Sequence, residues 1–227
     1  MPTWRRRDQA IPQGRRGPRS GPDGRCDMRH DARILALAAA LLLALASPAA
    51  AGIPSPVNST ASSASGCFNI RPDGGGNTLA NVGLTIAVHV EDAGGVAIPG
   101  YPFQDIWWDD AGNGDIALCQ GGTVAAANTN GTGDTTITGA GAGGGWTQSG
   151  LRVYLAGVPI TGTPSLLIDV NSPDLNGDIT VNLADVGDFS IDFNNVVYDF
   201  RSDFTCDGFE NLADVGDLAI ANAGVCP

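Results

Sequence analysis

Two twelve-residue blocks near the carboxyl end of the chain repeat one pattern of oxygen-bearing side chains. The first reads Asp174-Leu-Asn-Gly-Asp-Ile-Thr-Val-Asn-Leu-Ala-Asp185, and the second reads Asp203-Phe-Thr-Cys-Asp-Gly-Phe-Glu-Asn-Leu-Ala-Asp214. Both blocks run into an identical heptapeptide, Asn-Leu-Ala-Asp-Val-Gly-Asp, at 182–188 and at 211–217. Seven identical residues at an offset of 29 indicate an internal duplication.

Each block has the spacing of a calcium-binding loop, which supplies oxygen ligands from positions 1, 3, 5, 7, 9 and 12. Position 7 contributes its backbone carbonyl, and the other positions contribute side chains. Each loop carries three of these ligands as carboxylates and contains no basic residue, so it would repel itself without a cation. The sequence therefore predicts two bound Ca²⁺ ions. The predicted ligands are Asp174, Asn176, Asp178, Thr180, Asn182 and Asp185 in the first loop, and Asp203, Thr205, Asp207, Phe209, Asn211 and Asp214 in the second.

The first loop departs from the usual pattern at position 6, where the chain turns sharply and Gly is expected. The second loop has Gly208 there, whereas the first has Ile179, with Gly177 two places earlier. We therefore expect the first site to form and to bind calcium more weakly than the second.

A short helix is predicted after each loop, because apolar residues recur on one face. Leu183, Val186, Phe189 and Phe193 form this face in the first unit. The same pattern recurs in the second unit at Leu212, Val215 and Leu218.

Two calcium loops, each followed by one helix, resemble dockerin type I domains over residues 171–227. The resemblance rests on Asp-Leu-Asn-Gly-Asp at 174–178, Asp-x-x-Cys-Asp-Gly at 203–208 and the Asn-Leu-Ala-Asp that enters each helix. It implies two antiparallel loop-helix units around two calcium ions, and docking onto a cohesin-like protein. The family's cohesin-facing positions 10 and 11, often Ser-Thr, are Leu183-Ala184 and Leu212-Ala213 here. The calcium roles therefore carry over, and cohesin specificity does not.

Residues 67–170 contain short apolar runs broken by Gly, Asp and Asn, without a helical period. Several such strands suggest an antiparallel sandwich, and the segments 90–100 and 127–137 resemble bacterial immunoglobulin-like domains. The predicted fold class is mainly β: an immunoglobulin-like antiparallel β-sandwich, followed by a small all-α dockerin-like module of two calcium loop-helix units at 171–227. We read 52–66 as a small-residue linker or an extended first segment, and 139–145 as a flexible loop. Strands are expected near 67–70, 83–90, 103–109, 115–119, 134–138, 151–155 and 165–170.

Residues 1–51 have the composition of a leader with a secretory signal. Nine of the chain's 12 Arg lie in the first 33 residues, an apolar stretch follows at 34–46, and small residues then offer a cleavage site. The apolar stretch is too short for a bilayer, which needs about 20 residues, so no membrane span is expected. Residues 1–27 look like an overcalled start. The sequence predicts a secreted protein, located outside the cell or at its surface.

Charge and residue content exclude several functions. The chain has no Lys, and beyond residue 51 it has three Arg and 20 acidic residues. Nucleic-acid binding is not expected, because it depends on basic side chains. The same segment holds one His, His89, in a run with strand character, which favours a structural role over a catalytic triad or a zinc site.

Four Cys remain beyond the leader, an even number that is typical of disulfides in exported proteins. They allow three pairings. Sequence proximity favours Cys67–Cys119 and Cys206–Cys226.

The middle segment offers little for catalysis. Its acid cluster, at Asp105, Asp109, Asp110 and Asp115, reads as a hairpin turn better than as the paired carboxylates of a glycosidase. No enzymatic activity is predicted. Adjacent Trp107 and Trp108 point to opposite faces of a strand, so one of them, together with Tyr101, could stack on a sugar ring.

Two functions follow from these observations. The first is a secreted calcium-binding docking or anchoring protein with a cohesin-type partner. The alternative is an accessory component of polysaccharide catabolism, either a carbohydrate-binding protein associated with O-glycosyl hydrolases or itself an accessory hydrolase.

Overall fold

The computed structural model describes residues 52–110, 115–148, 150–195 and 197–227. The predicted leader at 1–51 lies outside the described residues. Within the described ranges, no helix is long and apolar enough to cross a membrane.

The described chain is mainly β, with two α-helices at its carboxyl end. The helices are α1 (Leu183–Phe193) and α2 (Leu212–Ala221), and single 3₁₀ turns cover Phe103–Asp105 and Phe200–Ser202. The strands are β1 (Thr60–Ser62), β2 (Gly66–Asn69), β3 (Ile86–His89), β4 (Ile106–Asp110), β5 (Ile116–Leu118), β6 (Asp134–Ile137), β7 (Gly143–Gly145), β8 (Leu151–Leu155), β9 (Val158–Pro159) and β10 (Ile168–Asn171). Each strand predicted from the sequence overlaps one of these.

The strands form four small sheets, and most of the pairing is antiparallel. The antiparallel sheets have the orders β1-β3-β6, β4-β8-β9 and β5-β7. The exception is β2 with β10, which pair in parallel from Gly66↔Ile168 to Asn69↔Asn171. This parallel pair places the start of the β-region beside the chain that enters the first acidic loop.

Alternation along the strands builds the hydrophobic core of the β-region, and a second, smaller cluster lies around the acidic loops and helices. In β4, Ile106, Trp108 and Asp110 point inward while Trp107 and Asp109 point outward, and β8 shows the same pattern. Trp108 is 1% exposed and packs edge-on against Phe68. The core therefore sits between the sheets, as period-2 patterning predicts.

One segment takes one of the two forms that the sequence allowed, and another departs from the prediction. Residues 60–62, within the predicted linker or extended segment, form β1 and pair with β3. Residues 143–145, which we expected to lie in a flexible loop, form the buried strand β7 against β5, so the loop prediction was wrong. Gly is required in β7 because a Cβ on Gly143 would collide with the carbonyl of Ala117 in β5, and a Cβ on Gly145 with the carbonyl of Asp115 just before β5.

The disulfides join distant parts of the chain. Cys67 in β2 pairs with Cys206 in the second acidic loop, and Cys119 pairs with Cys226 near the carboxyl terminus. The pairing favoured by sequence proximity was therefore wrong. The parallel pairing of β2 with β10 brings Cys67 beside the acidic loops, and proximity along the sequence could not indicate this.

Candidate metal centre

The two acidic loops have the same backbone shape. Both adopt the left-handed conformation at position 4, where Gly177 has φ +68° and Cys206 has φ +58°, and at position 6, where Ile179 has φ +62° and Gly208 has φ +85°. Each loop thus has one Gly and one residue with a side chain at its two left-handed positions. Gly177 is not misplaced, because it fills a position that needs the same conformation.

The first loop folds its predicted ligands into one hydrogen-bonded network. Asp174 Oδ1 accepts the amide of Asp178 at 3.2 Å, and Asp178 Oδ1 accepts the amide of Thr180 at 3.0 Å. Asp185 accepts the amides of Asn176 (3.2 Å) and Asn182 (2.8 Å). The six predicted positions therefore converge on one turn.

Asp174 is the most unusual group of this loop. Its side chain is fully buried, and its Oδ2 has no hydrogen-bond partner. Burial, together with the charges of Asp185 and Asp178, raises the pKa of Asp174 to about 6. A buried carboxylate oxygen without a partner is costly, and a hard cation that takes oxygen ligands would compensate it. The first loop therefore fits a calcium ion.

The second loop has the same network, but at its first position both carboxylate oxygens of Asp203 accept hydrogen bonds, unlike those of Asp174. Asp203 Oδ1 accepts the amide of Asp207 at 3.1 Å, and Asp203 Oδ2 accepts Gly208 N–H and the Tyr198 hydroxyl, each at 2.8 Å. Asp214 accepts the amide and the hydroxyl of Thr205. Tyr198, which is outside the loop pattern, was missed by sequence reasoning, and no local spacing signal marks it.

The last predicted ligand position of each loop lies in the first turn of the following helix. Asn182 caps α1 by accepting Ala184 N–H at 2.8 Å, and Asp185 accepts the Asn182 amide in return, forming a capping box. Asn211 and Asp214 repeat this arrangement at α2. Loop and helix are thus one unit, since each carboxylate serves both.

The helices bury less of their apolar face than the sequence pattern indicated. Phe189 and Leu218 are buried, and Phe189 stacks on Phe204 at 5.5 Å between ring centroids. Leu183 is 83% exposed and Leu212 is 78% exposed, so they do not belong to the buried face. The exposed large apolar residues of both helices are Leu183, Val186, Ile191, Phe193, Leu212, Val215 and Ile220.

The acidic loops pack directly on the β-region. Gly145 N–H donates to the Asp174 carbonyl at 2.7 Å, and a Cβ placed on Gly144 would overlap the Asp174 carboxylate. Asn171 at the end of β10 donates to the Asp203 carbonyl and accepts from Asn69. The glycines of β7 therefore provide the space that the first loop occupies.

In neither acidic loop are the carboxylates alone gathered closely enough to hold a metal ion. Among the described residues, no group of three or more His, Cys, Asp or Glu side chains is gathered closely enough to hold a metal ion. The loops place Asn, Thr and carbonyl oxygens between the carboxylates, which is the mixed oxygen set that Ca²⁺ takes.

Other residues singled out from the sequence have structural settings. His89 lies in β3, with Nδ1 2.7 Å from Asp134 and Nε2 3.1 Å from Glu91, and its hydrogen bond with Asp134 raises its pKa. In the acid cluster, Asp115 N–H donates to Asp110 at 3.0 Å. The rest of that predicted hairpin turn, residues 111–114, lies outside the described residues.

Comparisons with known proteins give little further guidance. No family model matches the chain, and no curated protein matches it. The crystal structure of the Lin-41 filamin domain aligns with a TM-score of 0.30 and 18% identity, over 52% of this chain and 95% of that chain. A TM-score of this size carries no argument about fold or function.

Proposed function

We propose that residues 171–227 form a dockerin-like module that binds two calcium ions and docks onto a cohesin-type partner protein. The observation that carries the calcium assignment is the buried, unpartnered Oδ2 of Asp174 at position 1 of a loop with the right oxygen spacing. The second loop repeats the spacing and the backbone shape. In this proposal, the β-region is an immunoglobulin-like sandwich that acts as a spacer, and the protein is secreted.

In this role, calcium neutralises the loop carboxylates and holds the helix entries in place. The ligands would be the six oxygen-bearing positions of each loop, with Asp174 and Asp203 first and Asp185 and Asp214 last. Because Asp185 and Asp214 also complete the capping boxes, they transmit the order of the loop to the helix.

Exposed apolar side chains support a docking role for the helices. Leu183 and Leu212 occupy equivalent positions of the duplication, directly after the two caps, and both are mostly exposed. Exposed groups of large apolar residues mark interaction surfaces. The family uses these positions to contact cohesin, although with Ser-Thr in place of Leu-Ala.

Calorimetric titration of residues 52–227 with Ca²⁺, after treatment with a chelator, tests the metal assignment. We expect two ions per chain and a higher thermal midpoint in calcium, because a ligand that binds only the folded state stabilises it. The isosteric variants Asp174→Asn and Asp203→Asn should each lose one ion. A wild-type chain that binds no calcium would sink the proposal.

A separate experiment tests docking. Purified cohesin domains are immobilised, and binding of residues 52–227 is measured in calcium and in chelator. We expect binding in calcium that the double variant Leu183→Asp, Leu212→Asp abolishes, while that variant still binds two calcium ions. If no cohesin binds, the proposal of a cohesin-type partner is contradicted, while the calcium assignment is unaffected.

A further inference from the structure

A pocket of about 550 Å³ opens on the outward side of β4, and no residue of the acidic loops lines it. Its apolar part includes Trp107, Phe103 and Leu118, and its polar part includes Gln104, Gln120 and Asp109. The volume lies within the range of small-ligand sites, which are mostly apolar with a few convergent polar groups. Composition and size therefore fit a small ligand better than a protein surface.

Trp107 supplies a fixed aromatic surface to this pocket. Strand alternation buries its neighbour Trp108 in the core and turns Trp107 outward, where it is half-buried. The Trp107 ring lies nearly parallel to Tyr154, its partner across β4 and β8, with centroids 5.8 Å apart and planes 11° apart. The Tyr154 hydroxyl donates to the Asp110 carbonyl at 3.0 Å. Because the aromatic pair is braced in this way, ordering it on binding costs little.

The polar groups of the pocket have unused hydrogen-bonding capacity. The side chains of Gln104 and Gln120 are exposed, and neither is hydrogen-bonded to another residue in the described ranges. Each amide offers two donors and an acceptor. Asp109 accepts Asp110 N–H at 2.8 Å, and burial raises its pKa.

These groups restrict the chemistry of the ligand. No basic residue lines the pocket, and Asp109 would repel an anion. A purely apolar ligand would cover Asp109 and the two amides without replacing their hydrogen bonds with water, at a cost. A neutral ring with an apolar C–H face and a rim of hydroxyls satisfies both parts of the pocket. We propose that this pocket binds a neutral saccharide, with a pyranose ring stacked on Trp107 and its hydroxyls bonded to Gln104, Gln120 and Asp109.

Tyr101, the other aromatic residue that the sequence suggested for sugar stacking, packs against the hydrophobic core. Trp107 is therefore the residue on which the test should focus.

The test is calorimetric titration of residues 52–227 with neutral oligosaccharides built from glucose, xylose, mannose or N-acetylglucosamine, and with acidic oligogalacturonate. We expect at least one neutral series to bind one molecule per chain, and the acidic series not to bind. Trp107→Ala should weaken binding tenfold or more. Leu167→Ala is the matched control, because it removes a large apolar side chain that is 64% exposed and does not line the pocket.

A second variant guards against misfolding of Trp107→Ala. Gln120→Ala removes an exposed amide without touching the core, and it should weaken the same saccharide severalfold. The proposal is overturned if no neutral saccharide binds, if acidic oligosaccharides bind more tightly, or if the correctly folded variants bind as well as the wild type. None of these outcomes depends on calcium or on cohesin, so the proposed function is tested separately.

Discussion

Ile179 is held in the left-handed backbone region, at φ +62°, and is 39% exposed. A non-Gly residue pays about 1–2 kcal/mol in this conformation, and a β-branched side chain is especially unsuited to it. The second loop avoids this cost at the same position with Gly208, which has φ +85°. The first loop therefore keeps its shape against the local preference of one residue.

We predict that Ile179→Gly raises the free energy of unfolding by about 0.5–1 kcal/mol, since relief of the strain exceeds the entropy that Gly loses on folding. Urea denaturation in saturating calcium measures the change. Ile179→Ala is the control, because it removes the same side chain and keeps the Cβ, so it should gain less. Equal gains in both variants would assign the effect to the exposed side chain and contradict the backbone argument.

At the scale of single elements, each helix contains one interior glycine with free space around it. A Cβ placed on Gly187 in α1 or on Gly216 in α2 would have no atom within 4 Å, apart from its chain neighbours and the backbone of its own helix. Gly144 in β7 is the opposite case, because its Cβ would overlap the Asp174 carboxylate. Replacing Gly by Ala should therefore stabilise the protein at the two helix positions and destabilise it at Gly144.

We predict that Gly187→Ala and Gly216→Ala each stabilise the protein by about 0.5–1 kcal/mol, the helix-interior difference between Gly and Ala. Gly144→Ala should destabilise it and reduce calcium binding to one ion. Thermal denaturation measures the change in stability, and calorimetric titration measures the number of calcium ions bound. If Gly144→Ala still binds two ions, the first site does not depend on its contact with β7.

Sequence reasoning was strongest where the pattern is local. The two helices after the loops follow from short-range spacing, with Asn-Leu-Ala-Asp at each helix entry, whereas the capping boxes that Asn182 and Asn211 form there were not predicted. The strand character of β7 was hidden, because an all-glycine segment has no apolar side chains to show alternation. Its burial depends on β5 and on the first acidic loop, which are distant in sequence.

At the scale of the whole molecule, two disulfides fasten the acidic loops and the carboxyl terminus to the β-region. They join residues 139 and 107 positions apart. Neighbouring Cys residues looked like natural partners, but pairing follows spatial distance, which the parallel contact of β2 with β10 sets. Arg71 adds an ion pair with Asp217 of α2 at 3.3 Å.

We predict that removing either disulfide lowers the free energy of unfolding by about 2–5 kcal/mol, because the unfolded chain regains freedom. The pair Cys67→Ser, Cys206→Ser should also weaken calcium binding at the second loop, since Cys206 occupies loop position 4. The pair Cys119→Ser, Cys226→Ser is the matched control and should spare that affinity. If calorimetry finds an equal loss of calcium affinity in both double variants, the link between the Cys67–Cys206 disulfide and the second loop is contradicted.

The same cross-links determine how the protein would bear a pulling force. If tension acts between the segment near residue 52 and the carboxyl terminus, it passes through the Cys67–Cys206 bond and bypasses most of the β-strands. Only about 40 residues remain extensible, roughly 140 Å of chain at about 3.5 Å per residue. The strands from β3 to β10 therefore stay out of the load path, and the protein would behave as a short tether that keeps most of its β-region folded while it is stretched.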